Sequence, residues 1–194
     1  MTEKKTDRRV VKTKKAIRNA FAKLMSEKDI NRITIKDIAD TADINRKTFY
    51  SYYSGVFEIA EEIENELVET FEGIFNGMEL KTVLQNPSQF FSKLTEKINE
   101  NLEFYGYLMK ATSSANLFIN KDGKLDQCVS RAFKNQTDID PQTISIMTDY
   151  MLSGMLTVYH RWFNSDRSIS IDKLSETLGK LFCDGISGIV GGTA

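Results

Sequence analysis

The sequence predicts an all-α chain of about nine helices, and three observations predict it. Apolar residues recur at spacings of three and four along most of the chain, while two-residue alternation is weak. Proline is absent until Pro87 and returns only at Pro141, so nothing interrupts the N-terminal helices. Capping residues stand where apolar periodicity begins, at Thr34, Asn45 and Ser170.

The first helix is expected from about Arg8 to Lys28, with Ile17, Ala20, Phe21, Leu24 and Met25 on one face and Arg9, Lys12, Lys15 and Arg18 elsewhere around it. A polar break, Asp29 to Arg32, separates it from a helix of about Ile35 to Ala42. Thr34 caps that helix, and Asp37 sits where a capping box needs an acceptor. The chain turns through Asp43 and Ile44, and Asn45 caps a third helix, Arg46 to about Tyr53. Ser54 and Gly55 end it. A long fourth helix, about Val56 to Phe75, should bury Phe57, Ile59, Ile63, Leu67 and Phe71 behind a Glu-rich face.

Residues 77–85 read as a connection. Asn86-Pro87 opens a helix carrying Phe90, Phe91, Leu94 and Ile98. Phe104-Tyr105-Gly106 is expected to break it, with a short helix near Tyr107 to Thr112 beyond. Asn116 to Lys134 holds another, with an interruption expected near Asp122-Gly123. A strong segment follows, from Asp140-Pro141 to about Phe163, striped by Ile144, Met147, Met151, Met155, Val158 and Trp162. The last helix, about Ile171 to Val190, carries Leu174, Leu178, Leu181, Phe182 and Ile186, and glycines should loosen its end.

The length of 194 residues suits one or two small domains, and the boundary is expected near Gly55: 1–55, then 56–194. No apolar run is long enough for a bilayer span and no signal peptide stands out, so a cytoplasmic location and no membrane partner are expected. Two cysteines, Cys128 and Cys183, are too few for a disulfide framework and lack metal-ligand spacing; two reduced core residues are expected. No nucleophile elbow, phosphate loop or metal box is present. The sole histidine, His160, reads as an ordinary helix residue. No enzyme, catalytic residue, metal or cofactor is expected.

Charge is unevenly placed. Through Gly55 there are 14 Lys/Arg against 7 Asp/Glu; the remainder has 12 against 20. A basic head on an acidic body fits a polyanionic partner. It fits a solvated basic arm as well, and charge alone leaves both open.

The stretch TIKDIADTADINRKTFYSYY, Thr34 to Tyr53, narrows the choice. Its apolar skeleton is Ile35, Ile38, Ala39, Ile44, Phe49 and Tyr53, with small Ala39 and Ala42 allowing close approach. With Phe49 and Tyr53 inward, the helical period turns Arg46, Lys47, Tyr50 and Ser51 outward. An α-helix of this width fits the B-DNA major groove, where Arg46 and Lys47 can donate to guanine and Tyr50 can meet a thymine methyl. Asn45, Thr48, Ser51, Tyr52 and Tyr53, with Thr34 and Lys36 at the start of the preceding helix, complete the candidate DNA-binding set. A helical hairpin with an idle polar face stays open on spacing alone.

The run ITIKDIADTADINRKTFYSYYSGVFEI resembles the DNA-binding domain of the TetR family of transcriptional regulators, over about Val10 to Ile63. INRKTFYSYY is also similar to a subgroup that includes activators of dihydroxyacetone-kinase operons. The resemblance implies an N-terminal three-helix DNA-binding domain with a helix-turn-helix, a fourth helix joining it to the body, and a larger C-terminal helical domain that senses a ligand and dimerises. Two departures stand out. The family often has Gly where this chain has Asp43, and often Lys where it has Val56; Ser54 or Tyr53 is expected to stand in for that lysine.

The resemblance thus implies a homodimeric regulator, expected to be a ligand-responsive repressor, on a pseudo-palindromic double-stranded DNA operator. The effector is an unknown small molecule or a protein co-regulator; the rival reading is a regulator or adaptor whose body binds a partner protein. Expected pocket residues are Tyr107, Met151 and Tyr159, although such aromatic and Met stripes also serve as plain core. The family builds its dimer from the last two helices, which makes Met155, Trp162, Leu174, Leu178 and Leu181 the candidate interface.

Overall fold

The computed structural model describes residues 8–76, 87–111, 123–134 and 139–190, and these are helical apart from caps and turns. In order they form α1 (Arg8–Glu27), a 3₁₀ turn (Ile30–Arg32), α2 (Ile35–Thr41), α3 (Arg46–Tyr50), α4 (Val56–Asn76), α5 (Pro87–Glu100), α6 (Leu102–Lys110), α7 (Lys124–Lys134), α8 (Pro141–Phe163) and α9 (Ile171–Val190). The expected interruption near Asp122-Gly123 and the start at Asn116 fall on residues 112–122, outside the described set, except that α7 begins just after Gly123.

The chain divides into two compact units. The first takes residues 1–63 and 103–114, the second 64–102 and 115–194. The division falls inside α4, about two turns beyond Gly55.

In the first unit, α1 packs on α2 and α2 on α3. The buried face of α1 is Ile17, Ala20, Phe21, Ala22, Leu24 and Met25, and Ile38 and Ala39 of α2 and Phe49 of α3 are buried as well. Phe21, Ile38 and Phe49 are fully buried. Each such side chain contributes roughly 1.5–3 kcal/mol by leaving water.

The second unit closes chiefly through α9 on α5 and α7 on α8. Phe71 and Phe75 of α4 meet Phe90 of α5 at 5.8 and 5.6 Å between ring centroids. A buried hydroxyl set joins three helices: Tyr159 (α8) lies 3.1 Å from Ser175 (α9), which lies 2.5 Å from Thr95 (α5). These satisfy one another where no water reaches.

Four expectations change. The break before α6 falls at Asn101, and the helix runs through buried Gly106. Phe57 points to solvent, 61% exposed. The buried stripe of α8 is Ile144, Met147, Thr148, Leu152, Tyr159, Trp162 and Phe163, with Met151, Met155 and Val158 half-exposed. Trp162 and Leu174, expected at a dimer interface, lie in their own chain's interior, the indole N–H donating to the Ile169 carbonyl at 2.9 Å. Of the other interface candidates, Leu178 is half-exposed and Leu181 is exposed; the side chains of Phe182, Cys183 and Ile186 fall outside the described residues.

Candidate nucleic-acid interface

Local chemistry builds α2 and α3. Thr34 and Asp37 form a reciprocal capping box: the Asp37 amide donates to Thr34 Oγ1 at 3.1 Å, and the Thr34 amide donates to Asp37 Oδ2 at 2.9 Å. Lys28 donates to the same carboxylate at 2.7 Å, and this bond, with those from Thr34, holds the Asp37 carboxyl well below its ordinary range. Asn45 caps α3 by accepting from the Thr48 amide at 2.8 Å.

Between the helices, Asp43 takes the left-handed conformation, φ 52°. Asp tolerates this better than most residues, so the turn keeps its shape without Gly. The Ile44 amide then reaches back to the Ala39 carbonyl at 3.0 Å.

Helix α3 is a single short piece whose orientation comes from two aromatic anchors. Phe49 is fully buried and meets Tyr53 at 5.9 Å. Tyr53 is 2% exposed, and its hydroxyl donates to Glu62 on α4 at 3.1 Å. Burial and the Glu62 charge together push this phenol well above its ordinary range. Glu62 also accepts from Lys14 of α1 at 2.7 Å, with Arg18 at 3.8 Å. One carboxylate thereby ties α1, α4 and the end of the α3 segment together.

With these anchors inward, Arg46, Lys47 and Tyr50 face solvent, Tyr50 at 59% exposure. Asn45 and Ser51 are exposed beside them, and Thr48 and Tyr52 half-exposed. The outward row is two cations, a phenol, hydroxyls and an amide on the exposed face of a short helix. Thr34 and Lys36 are exposed at the start of α2.

Some candidates sit differently from expectation. Tyr53 supports α3 from behind and has no outward face. Ser54 donates through its hydroxyl to Glu58 at 2.8 Å, and its amide donates to the same oxygen. Buried Tyr53 is turned inward and does not stand in for the lysine expected at Val56, while exposed Ser54 caps α4 on the exposed Glu58. The Thr34 hydroxyl donates to Asp37 at 2.8 Å, so its proton is committed within the capping box.

Sequence reasoning missed part of this surface. An open groove of about 670 Å³ runs between α1 and α3, lined by Arg9, Val10 and Thr13 as well as by the turn and α3 residues. The i, i+4 spacing of Arg9 and Thr13 is the only sequence signal for it.

The pocket candidates are divided. Tyr107 belongs to the first unit, its hydroxyl donating to Glu103 at 3.3 Å; Met151 and Tyr159 belong to the second. Tyr159 is occupied by Ser175, and burial raises its phenol pKa. Cys128 is buried in the second unit, and burial pushes its thiol up to about 11. Among the described residues no cluster of His, Cys, Asp or Glu could hold a metal ion, and no helix is long and apolar enough to cross a membrane.

Two family models match the chain. One, bacterial regulatory proteins of the tetR family, covers residues 17–63; the other, a transcriptional regulator C-terminal region, covers residues 85–184. The uncharacterized HTH-type transcriptional regulator YxbF of Bacillus subtilis is 30% identical over 149 residues, 71% of this chain and 36% of that one. The HTH-type dhaKLM operon transcriptional activator DhaS of Lactococcus lactis is 31% identical over 100 residues, 48% of this chain and 54% of that one. The matches thus span about a third to a half of these relatives' lengths. The solved fatty acid degradation regulator FadR of Bacillus halodurans shares the fold, with a TM-score of 0.62 over 95% of this chain and 98% of that one at 12% identity.

Proposed function

Because the chain belongs to the TetR family of transcriptional regulators, we propose that it acts as a homodimer, inserting α3 of each protomer into successive major grooves of a pseudo-palindromic operator. The observation that carries this reading is the outward row of Arg46, Lys47 and Tyr50, held rigid from behind by Phe49 and Tyr53. Arg46 and Lys47 supply donors for guanine O6 and N7, and Tyr50 supplies a phenol that reaches a base edge. Asn45, Thr48, Ser51 and Tyr52 flank them as contacts to the backbone that fix register, and Lys36 adds a charge from α2. Asn45 spends its Oδ1 on the Thr48 amide, so its side-chain N–H₂ is what it offers outward.

Partner symmetry sets the operator: an isologous dimer requires inverted half-sites at the spacing of its two α3 helices. The exposed apolar residues Ile146 and Tyr150 on α8 and Leu181 on α9 are the surfaces that a second copy would cover. Such a protein works where DNA is, in the cytoplasm. We assign the second unit to sensing. A small-molecule effector would release DNA by favouring a spacing of the two α3 helices that fits one half-site at a time, which forfeits the gain of bivalent binding. This makes the protein a ligand-responsive repressor.

The test is binding to an operator selected from random duplexes. Arg46→Ala and Tyr50→Ala should each cost about 1–3 kcal/mol on that operator and relax base preference at one position per half-site. An unchanged affinity and base profile in both variants would remove α3 as the reading element.

A further inference from the structure

The groove between α1 and α3 is continuous with the surface that reads DNA, since Lys47 and Ser51 belong to both. Its α1 wall adds Arg9, while the Thr13 hydroxyl there donates to the Arg9 carbonyl at 2.9 Å, and Tyr52 lines it as well. The Arg9 and Lys47 cations suit phosphate oxygens. One lining residue has the opposite character. Asp43 brings the single carboxylate among the described lining residues, from the left-handed turn position, φ 52°. The turn itself does not require that charge, because Asn adopts the left-handed region as readily.

We propose that the sugar–phosphate backbone of one operator strand runs through this groove, drawn in by Arg9 and opposed by Asp43, so that Asp43 holds DNA affinity below what the surface would otherwise reach. The proposal rests on α3 lying in the major groove, which brings the flanking strand past the α1 wall. Backbone contacts carry no base information, so both residues act equally on every sequence. A charge at this place sets how readily the protein leaves non-specific DNA, a property separate from operator choice.

The experiment measures affinity of the full-length protein for mixed-sequence duplex DNA and for the selected operator, as a function of salt. Arg9→Gln should flatten the slope of log K against log salt by about 0.9 and weaken both duplexes by about eightfold at 0.1 M salt, as expected for one lost phosphate contact. Asp43→Asn should tighten both by about three- to eightfold. A gain of affinity cannot come from misfolding, so the second variant keeps the test sound if the first folds poorly. Equal factors on both duplexes support the groove. No change in either variant, or a change on the operator alone, overturns it while leaving the α3 reading intact. Failure of the unaltered protein to bind any duplex at low salt overturns both.

Discussion

Removing one oxygen atom tests how α3 is held. Tyr53→Phe keeps the buried ring, its contact with Phe49 at 5.9 Å and the Lys14 ammonium 5.3 Å from the ring centroid. It deletes only the hydroxyl that donates to Glu62 at 3.1 Å. A hydrogen bond to a charged acceptor contributes about 1.5–3 kcal/mol net. The lower end applies, because the Glu62 side chain is 31% exposed and keeps Lys14 at 2.7 Å. About 1.5 kcal/mol is roughly a tenfold rise in the opening equilibrium of the first unit. Amide hydrogen exchange reads this directly. The Phe49 amide donates to the Asn45 carbonyl at 3.2 Å and the Tyr53 amide to the Phe49 carbonyl at 3.1 Å. Both should exchange about tenfold faster in the variant, while amides of α5 and α9 keep their rates. Unchanged protection at Phe49 and Tyr53 would refute the idea that Glu62 anchors the recognition helix through this hydroxyl.

Two further outcomes follow from the second unit. Ile146→Glu combined with Leu181→Glu, both at exposed positions, should shift the protein from dimer to monomer in sedimentation, and an unchanged dimer would place the interface elsewhere. Cys128, whose thiol burial pushes up to about 11, stays protonated at pH 8 and should resist iodoacetamide until the protein is unfolded, as read by peptide-resolved mass spectrometry; rapid native labelling would contradict its burial.

Much of the first unit is legible in the sequence because local rules decide it. Thr34 with Asp37, Asn45 with Thr48, and the inward pair Phe49 and Tyr53 follow from spacing and capping chemistry alone. Legibility ends where a distant partner decides. Helix α8 has apolar residues around most of its girth, so its own pattern cannot say that Leu152 and Tyr159 turn inward in place of Met151 and Met155. That choice belongs to α7 and α9. Gly106 reads as a breaker because of its helix propensity, yet burial in α6 outweighs a propensity cost of about 1 kcal/mol. Phe57 is apolar on the expected face but sits in the first turn of α4, where neighbours do not cover it. The α1 wall of the groove leaves no more than the Arg9–Thr13 spacing in the sequence, because Arg9 and Thr13 come to line it with the α3 segment only through tertiary packing. The same holds for Tyr53 and Ser54, whose carboxylate partners Glu62 and Glu58 depend on how α4 is seated.

Methylation protection of guanine N7 on the selected operator tests the central claim most directly, since N7 lies in the major groove where Arg46 and Lys47 would sit. Two symmetric clusters of protected guanines, separated by about one helical turn or a multiple of it and both lost in Arg46→Ala, are the expected result. Retarded DNA with every guanine N7 open to methylation would contradict the account.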